Sequence, residues 1–222
     1  MSSLRLVIAN KRYSSWSLRP WLVMTHFAIP FVEEKILLDL ADSKANILRV
    51  SPSGRVPCLV DGDVAIWETL AIVEYLAESF PDRAIWPTDR AARAVARAIS
   101  NEMHAGFVAL RSACPMNLRR SFPWRDWGGP AAAAEVARIE QLIADARARF
   151  GGSGPFLFGA FSAADAMYAP VALRLLGYSW PISAPTRAWA QVVTALPAFA
   201  AWKAGADAES EIIAADEVEC VD

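Results

Sequence analysis

Ser51-Pro52-Ser53-Gly54-Arg55-Val56-Pro57-Cys58-Leu59-Val60-Asp61-Gly62-Asp63-Val64-Ala65-Ile66-Trp67-Glu68-Thr69 is the stretch whose reading decides the fold. Ser-Pro-Ser-Gly is a turn signal. Residues 57–60 and 64–67 then flank Asp61-Gly62-Asp63, which reads as a β-hairpin. Residues 68–79 follow as an amphipathic helix. Toward the N-terminus, 43–50 suits a short helix. Residues 31–38 alternate loosely, with Val32, Ile36 and Leu38 on one face, and read as a strand. Residues 17–27 carry apolar side chains at helical spacing and stop before Pro30, while 4–9 form a short apolar strand. The expected order is β-α-β-α-β-β-α.

Beyond this unit no strand is expected. Residues 81–88 hold Pro81 and Pro87 and serve as the linker between an α/β domain (1–80) and an all-helical domain (89–222). A long helix is predicted over 89–113, ending ahead of Pro115 because proline disfavours helix in the residue before it. A second spans 131–150, closed by Gly151-Gly152, and a third 162–176, closed by Gly177 with a kink expected at Pro170. Shorter helices at 186–195 and 197–203 precede an acidic tail expected to fray. No internal repeat is present.

Composition narrows the function classes. Hydrophobic residues make up 55% of the 222 and charged residues 21%, a globular balance without a disorder signature. With a net charge of −2 and no Lys/Arg run, nothing invites nucleic acid or an anionic membrane. No apolar segment approaches the ~18 residues of a membrane span. The start of the chain lacks the pattern of a secretory leader. Cys58, Cys114 and Cys220 are odd in number and widely spaced, forming neither a CxxC nor a disulfide framework. Together with only two histidines, His26 and His104, they give no metal site. A reduced cytoplasm and small-molecule or protein partners are expected.

Three places can carry chemistry. Tyr13-Ser14-Ser15-Trp16-Ser17 lies where the first strand turns into a helix. Helix N-termini stabilise anions such as thiolates, and serine there either caps the helix or donates a hydrogen bond to a ligand. Arg55-Val56-Pro57 precedes a strand; it is an ordinary turn, or a cis Val56-Pro57 bond that turns the Val56 backbone toward a ligand. Glu68-Thr69 opens a helix, where acidic and hydroxyl residues are ordinary capping choices, or a receptor for ammonium and carboxylate groups. Further on, Arg97, Ser100, His104 and Arg111 recur at spacings that place them on one side of the predicted long helix, a stripe without an acid.

Each place alone favours its ordinary reading, but the ordered set does not. The Ser-rich turn, Ser-Pro-x-Gly-Arg-Val-Pro, the hairpin and Glu68-Thr69-Leu70-Ala71-Ile72-Val73-Glu74-Tyr75-Leu76 together resemble the cytosolic glutathione transferase family. Phe161-Ser162-Ala163-Ala164-Asp165 is similar to that family's buried capping-box segment. The resemblance implies a thioredoxin-like βαβαββα domain followed by an all-helical domain, and a homodimer. It also implies glutathione as co-substrate without a metal. In that picture Arg55, Val56, Pro57, Glu68 and Thr69 bind glutathione, with Val56 pairing the cysteinyl backbone and Glu68 and Thr69 holding the γ-glutamyl end. Ser15, or else Ser14, activates the thiol, with Tyr13 a third choice. Trp16, His104 and Arg111 line the electrophile pocket. Ser14-Ser15-Trp16-Ser17-Leu18-Arg19 most resembles the serine-type zeta class, with Arg19 at the four-residue spacing of theta-type members. Trp16 stands where the zeta class has cysteine, which weighs against maleylacetoacetate isomerisation and against the cysteine-dependent omega and dehydroascorbate reductase types. Arg55 stands where Lys or Gln is common. The expected activity is a glutathione transferase. The alternatives are a glutathione-dependent isomerase and a non-catalytic binding protein of the same fold.

Overall fold

The computed structural model describes residues 3–218, so Cys220 lies outside the described residues. Four strands form one mixed sheet in the order β2-β1-β3-β4: β1 (Arg5–Ile8), β2 (Val32–Lys35), β3 (Cys58–Asp61) and β4 (Val64–Trp67). β1 runs parallel to β2, Leu6 opposite Glu33, and antiparallel to β3, Leu6 opposite Leu59. The hairpin closes with Asp61 opposite Val64, and Gly62 takes the positive φ that its turn requires. Between the strands lie α1 (Ser15–His26) and α2 (Ser43–Leu48), and α3 (Thr69–Ser79) follows the sheet. This is the thioredoxin-like order expected. β2 is four residues long rather than eight, because it is the sheet's edge and pairs only with β1; Val32 is 54% exposed.

Six helices follow: α4 (Arg90–Ala105), α5 (Val108–Ala113), α6 (Gly129–Ala146), α7 (Ala163–Gly177), α8 (Ala184–Thr194) and α9 (Pro197–Asp207). The helix predicted over 89–113 is in fact two. It breaks at Gly106, and Phe107 enters the left-handed region at φ 56° before α5 begins. The four-residue stripe breaks with it. Arg97 reaches Glu74 of α3 by two hydrogen bonds of 2.8 and 2.7 Å, and Ser100 is fully buried. The helix expected to run to 150 ends at Ala146 and passes into a π-turn over Arg147–Gly151.

α7 is the central pillar of the helical half, buried along nearly its whole length and packed on α1, α4 and α8. Its N-terminus carries the capping box read from Ser162 and Asp165. The fully buried Asp165 accepts from the Leu157 and Ser162 N–H groups and Trp189 Nε1, each at 3.0 Å, and from the Ser162 hydroxyl at 3.2 Å.

The tail does not fray within the described residues. The buried Glu209 carboxylate accepts from the Lys11 N–H at 2.8 Å and the Arg12 N–H at 3.0 Å. The Arg12 guanidinium returns to the carbonyls of Ala206, Glu209 and Glu211. Lys11 lies between two indoles, its Nζ 4.8 Å from the ring of Trp21 and 5.3 Å from that of Trp202. A cation against aromatic faces contributes about 0.5–2 kcal/mol each. These contacts fasten the chain's C-terminal end to the segment between β1 and α1.

Candidate functional site

That segment delivers the first site residues. Ser14 is the N-cap of α1, accepting from the Ser17 N–H at 3.4 Å and donating to the Ser17 hydroxyl at 2.8 Å. Ser17 in turn accepts from the Ala9 N–H at the end of β1, so the Ser14 hydroxyl is committed to the turn. Ser15 begins the helix, half-buried, and its hydroxyl has no hydrogen-bond partner among the described residues. The Tyr13 hydroxyl donates to Glu217 at 2.5 Å. Burial, then that carboxylate, raise its pKa, so Tyr13 is turned to the tail rather than to the cleft.

Pro20 sits inside α1, where it has no N–H for the carbonyl four residues earlier. That carbonyl belongs to Trp16, and the Thr69 hydroxyl donates to it at 3.3 Å. A proline in one helix thus leaves an acceptor by which the first turn of α1 is tied to the start of α3. Glu68, just before α3, has φ 68°, a strained conformation for a residue with a side chain. Its carboxylate makes no capping bond; it is exposed and lies 3.5 Å from His104 Nε2 of α4. On the third side, Val56-Pro57 is cis, and Gly54 holds φ +62° where a Cβ would strike Lys44 Nζ. Lys44 Nζ donates to the Gly54 carbonyl at 3.0 Å, fixing the loop that presents Val56.

These elements enclose a cleft of about 250 Å³ lined by Trp16, Ser53, Arg55, Val56, Pro57, Glu68, Thr69, His104 and Arg111. Sites for small molecules usually measure ~300–1,000 Å³, so a ligand here keeps one side in water. Every glutathione-site and electrophile-pocket residue named from sequence lines it. Ser14 and Ser15 do not, although they adjoin Trp16. Arg111 still reaches the cleft, from α5 rather than along one long helix. Its guanidinium carbon is 4.9 Å from the Trp16 ring centre, and the His104 ring is 5.2 Å from it, edge-on. Burial lowers the pKa of Arg111, and Glu135 partly restores it. His104 Nδ1 is buried with no hydrogen-bond partner among the described residues.

Sequence reasoning missed Ser53, although it stands in the quoted turn, and the burial of Arg19. Arg19 is spaced four from Ser15 between Leu18 and Leu22, and a cation at core spacing was the available signal. Glu209 carried no sequence signal, since nothing in an acidic tail marks the one carboxylate that turns inward.

Residues 13–79 match the family described as Glutathione S-transferase, N-terminal domain. A probable maleylacetoacetate isomerase of Caenorhabditis elegans is 39% identical over 105 residues, 45% of this chain and 49% of that protein. The maleylacetoacetate isomerase of Pseudomonas aeruginosa is 34% identical over 104 residues, 44% and 49%. The chain thus spans about half the length of the curated relatives it matches. Among solved structures, a glutathione transferase homolog from Burkholderia with bound glutathione superposes with a TM-score of 0.70 at 22% identity, covering 94% of this chain and 100% of that one. A Tau class glutathione S-transferase from mango gives 0.71 at 19%, covering 92% and 96%. Residues 13–79 of this chain thus match the glutathione S-transferase N-terminal domain, and the chain shares the fold of solved glutathione transferases over more than nine-tenths of its length.

Proposed function

We propose that this protein is a glutathione transferase that activates the thiol of glutathione at the Ser15 turn and directs it at a small electrophile. One observation carries the reading: the cleft brings the Val56 backbone, Glu68 and Thr69 at the start of α3, and the first turn of α1 onto one surface. An extended tripeptide laid across it pairs its cysteinyl backbone with Val56 and its γ-glutamyl ammonium with Glu68. The α-carboxylate of the same glutamyl residue meets Thr69 and the positive end of α3, and Arg55 borders the same groove. The free Ser15 hydroxyl donates to the sulfur, while Ser14 holds the turn. Deprotonation releases the thiol proton to solvent. The thiolate then forms a carbon–sulfur bond as the electrophile's leaving group departs. Trp16, His104 and Arg111 form the electrophile's side, and Arg111 favours one bearing a carboxylate. No metal takes part.

A second reading, glutathione-dependent isomerisation, is supported by the two relatives named maleylacetoacetate isomerase. Here the thiolate adds to a double bond and is expelled after rotation. We further infer a cytoplasmic, detoxifying homodimer. Cys58 and Cys114 are free buried thiols. β4 is a sheet edge with Val64 51% and Trp67 42% exposed, an edge that a second copy would cover.

The test is retention on immobilised glutathione combined with turnover of a chloronitroarene and of maleylacetone. Binding with turnover of the arene supports the transferase, and turnover of maleylacetone alone supports the isomerase. Binding without turnover of any electrophile leaves a binding protein. Ser15→Ala should raise the pKa of the bound thiol, whereas Ser14→Ala should mainly cost the ~0.5–2 kcal/mol of a lost cap.

A further inference from the structure

Arg19 is one turn below Ser15 on α1 and is fully buried. Helical side chains lean toward the N-terminus, and this one does. Its Nη1 donates to the Ser15 carbonyl at 2.7 Å and its Nε to the Met167 carbonyl of α7 at 2.9 Å. The guanidinium carbon is 4.1 Å from the centre of the Trp16 ring. Its Nη2 is buried with no hydrogen-bond partner, and no carboxylate pairs with it, among the described residues.

The charges that face it are of its own sign. Arg174 comes from α7 and Arg111 from α5, and burial followed by these two pushes the Arg19 pKa well below the usual guanidinium value. Arg174 is partly offset by Asp216, and Arg111 by Glu135; Arg19 has no such offset. A guanidinium nonetheless stays protonated in proteins. This one also stands at the positive end of the α1 dipole, where anions rather than cations are stabilised. Folding alone therefore disfavours Arg19 three times over: by burial, by like charge and by the dipole. An anion arriving at the first turn of α1 relieves all three at once.

We propose that Arg19 is an electrostatic positioning residue, held on the Ser15 carbonyl behind Trp16, that stabilises the thiolate of glutathione bound at this turn. The proposal rests on the glutathione reading given above. The sulfur loses its proton to solvent, and Arg19 exchanges none. Its effect reaches the sulfur through protein, where effective dielectric constants of about 20 leave charge interactions far stronger than in water. His104, Glu68, Arg111 and Arg174 also face this region and stay unchanged in every variant below.

The experiment is a pH titration of the ultraviolet thiolate absorbance of bound glutathione, using the full chain with Arg19 or with Arg19→Gln, Arg19→Met or Arg19→Lys. Affinity for S-methylglutathione, which has no thiol to ionise, is measured alongside. The neutral variants should raise the bound-thiol pKa by about one unit, about tenfold less thiolate below that pKa. Arg19→Lys should recover most of the difference, and S-methylglutathione should bind all four proteins alike. A neutral variant that melts earlier but keeps the parent pKa overturns the proposal, and so does a lysine variant as impaired as the methionine one. If neither neutral variant folds, the unaltered protein still decides. A buried charge is poorly screened, so its bound-thiol pKa should hold steady from low to high salt; a clear rise with salt overturns the proposal. Failure of the unaltered protein to bind glutathione would instead overturn the glutathione reading itself, a result distinct from all of these.

Discussion

Asp165→Ala removes the acceptor on which four donors converge, and the cost can be worked from the structure. The Ser162 hydroxyl can turn elsewhere, but the N–H groups of Leu157, Ser162 and Trp189 are left buried. Each buried group without a partner costs about 1–3 kcal/mol, so three cost about 3–9. Against this stands the burden of the carboxylate itself. Burial pushes its pKa from 3.8 up to about 6, with Trp189, Leu157 and Ser162 holding it back. A rise of about two units is worth about 3 kcal/mol, regained near pH 7 when the buried charge is removed. The net loss near neutrality is therefore about 0–6 kcal/mol, most simply about 3. The sign of its pH dependence follows from the same shift. A raised pKa means stability that is fully present below about 4 and lost as pH rises through about 6. The destabilisation by Asp165→Ala should thus be larger near pH 4.5 than near pH 7.5, by up to about 3 kcal/mol. Urea unfolding of both proteins at the two pH values measures it. A larger loss at the higher pH would refute the reasoning, because it would mean that the four donors hold the carboxylate charged.

Two further expectations concern the site. Arg111→Ala should raise the KM of an acidic electrophile about tenfold, the scale of one hydrogen bond to a charged group, while leaving KM for glutathione and for a neutral electrophile nearly unchanged; equal effects on both electrophiles would return Arg111 to a packing role. Glu209→Ala leaves the Lys11 and Arg12 N–H groups unpaired, about 2–6 kcal/mol by the same accounting, and thermal melting checks it; a melt within one degree of the unaltered protein's would show the tail not to hold the turn.

The strands, the hairpin and most helix positions were legible because each is announced locally, by alternation, by Asp61-Gly62-Asp63 or by the Ser162–Asp165 box. The residues lining the cleft, Ser53 excepted, were legible through the order of their motifs and the stripe that holds His104 and Arg111. What escaped was set by partners distant in the chain. Glu209 is inward-facing only because Lys11 and Arg12, nearly two hundred positions earlier, offer backbone donors to it. The break at Gly106 escaped because helical periodicity continues across it. Glycine in a helix costs only about 1 kcal/mol, too little to mark a stop unaided. The break matters for the site, since it lets Arg111 reach Trp16 from a separate helix while Arg97 stays on the surface with Glu74.

Several departures from local rules gather around the cleft. Glu68 is left-handed at the mouth of the cleft, and Phe107 is left-handed at the break that delivers Arg111. Pro20 interrupts the hydrogen bonds of α1 directly below its first turn, and among the described residues Arg19 keeps a buried Nη2 unpaired on the same helix. Among the same residues the buried Nδ1 of His104 on α4 has no partner either. A sequence selected only to fold has cheaper choices at each position: glycine at 68 and 107, alanine at 20 and leucine at 19. Local conflicts gathered around one surface mark a functional site, because their cost is offset only when something binds there. The two unpaired groups differ in what they can answer. The Arg19 cation lies behind Trp16 and acts on an incoming anion through its field alone. His104 lies 3.5 Å from the Glu68 carboxylate, so an ammonium group that takes that carboxylate frees His104 to face the electrophile. The glutathione reading uses both properties, Arg19 at the central cysteinyl sulfur and His104 on the electrophile's side.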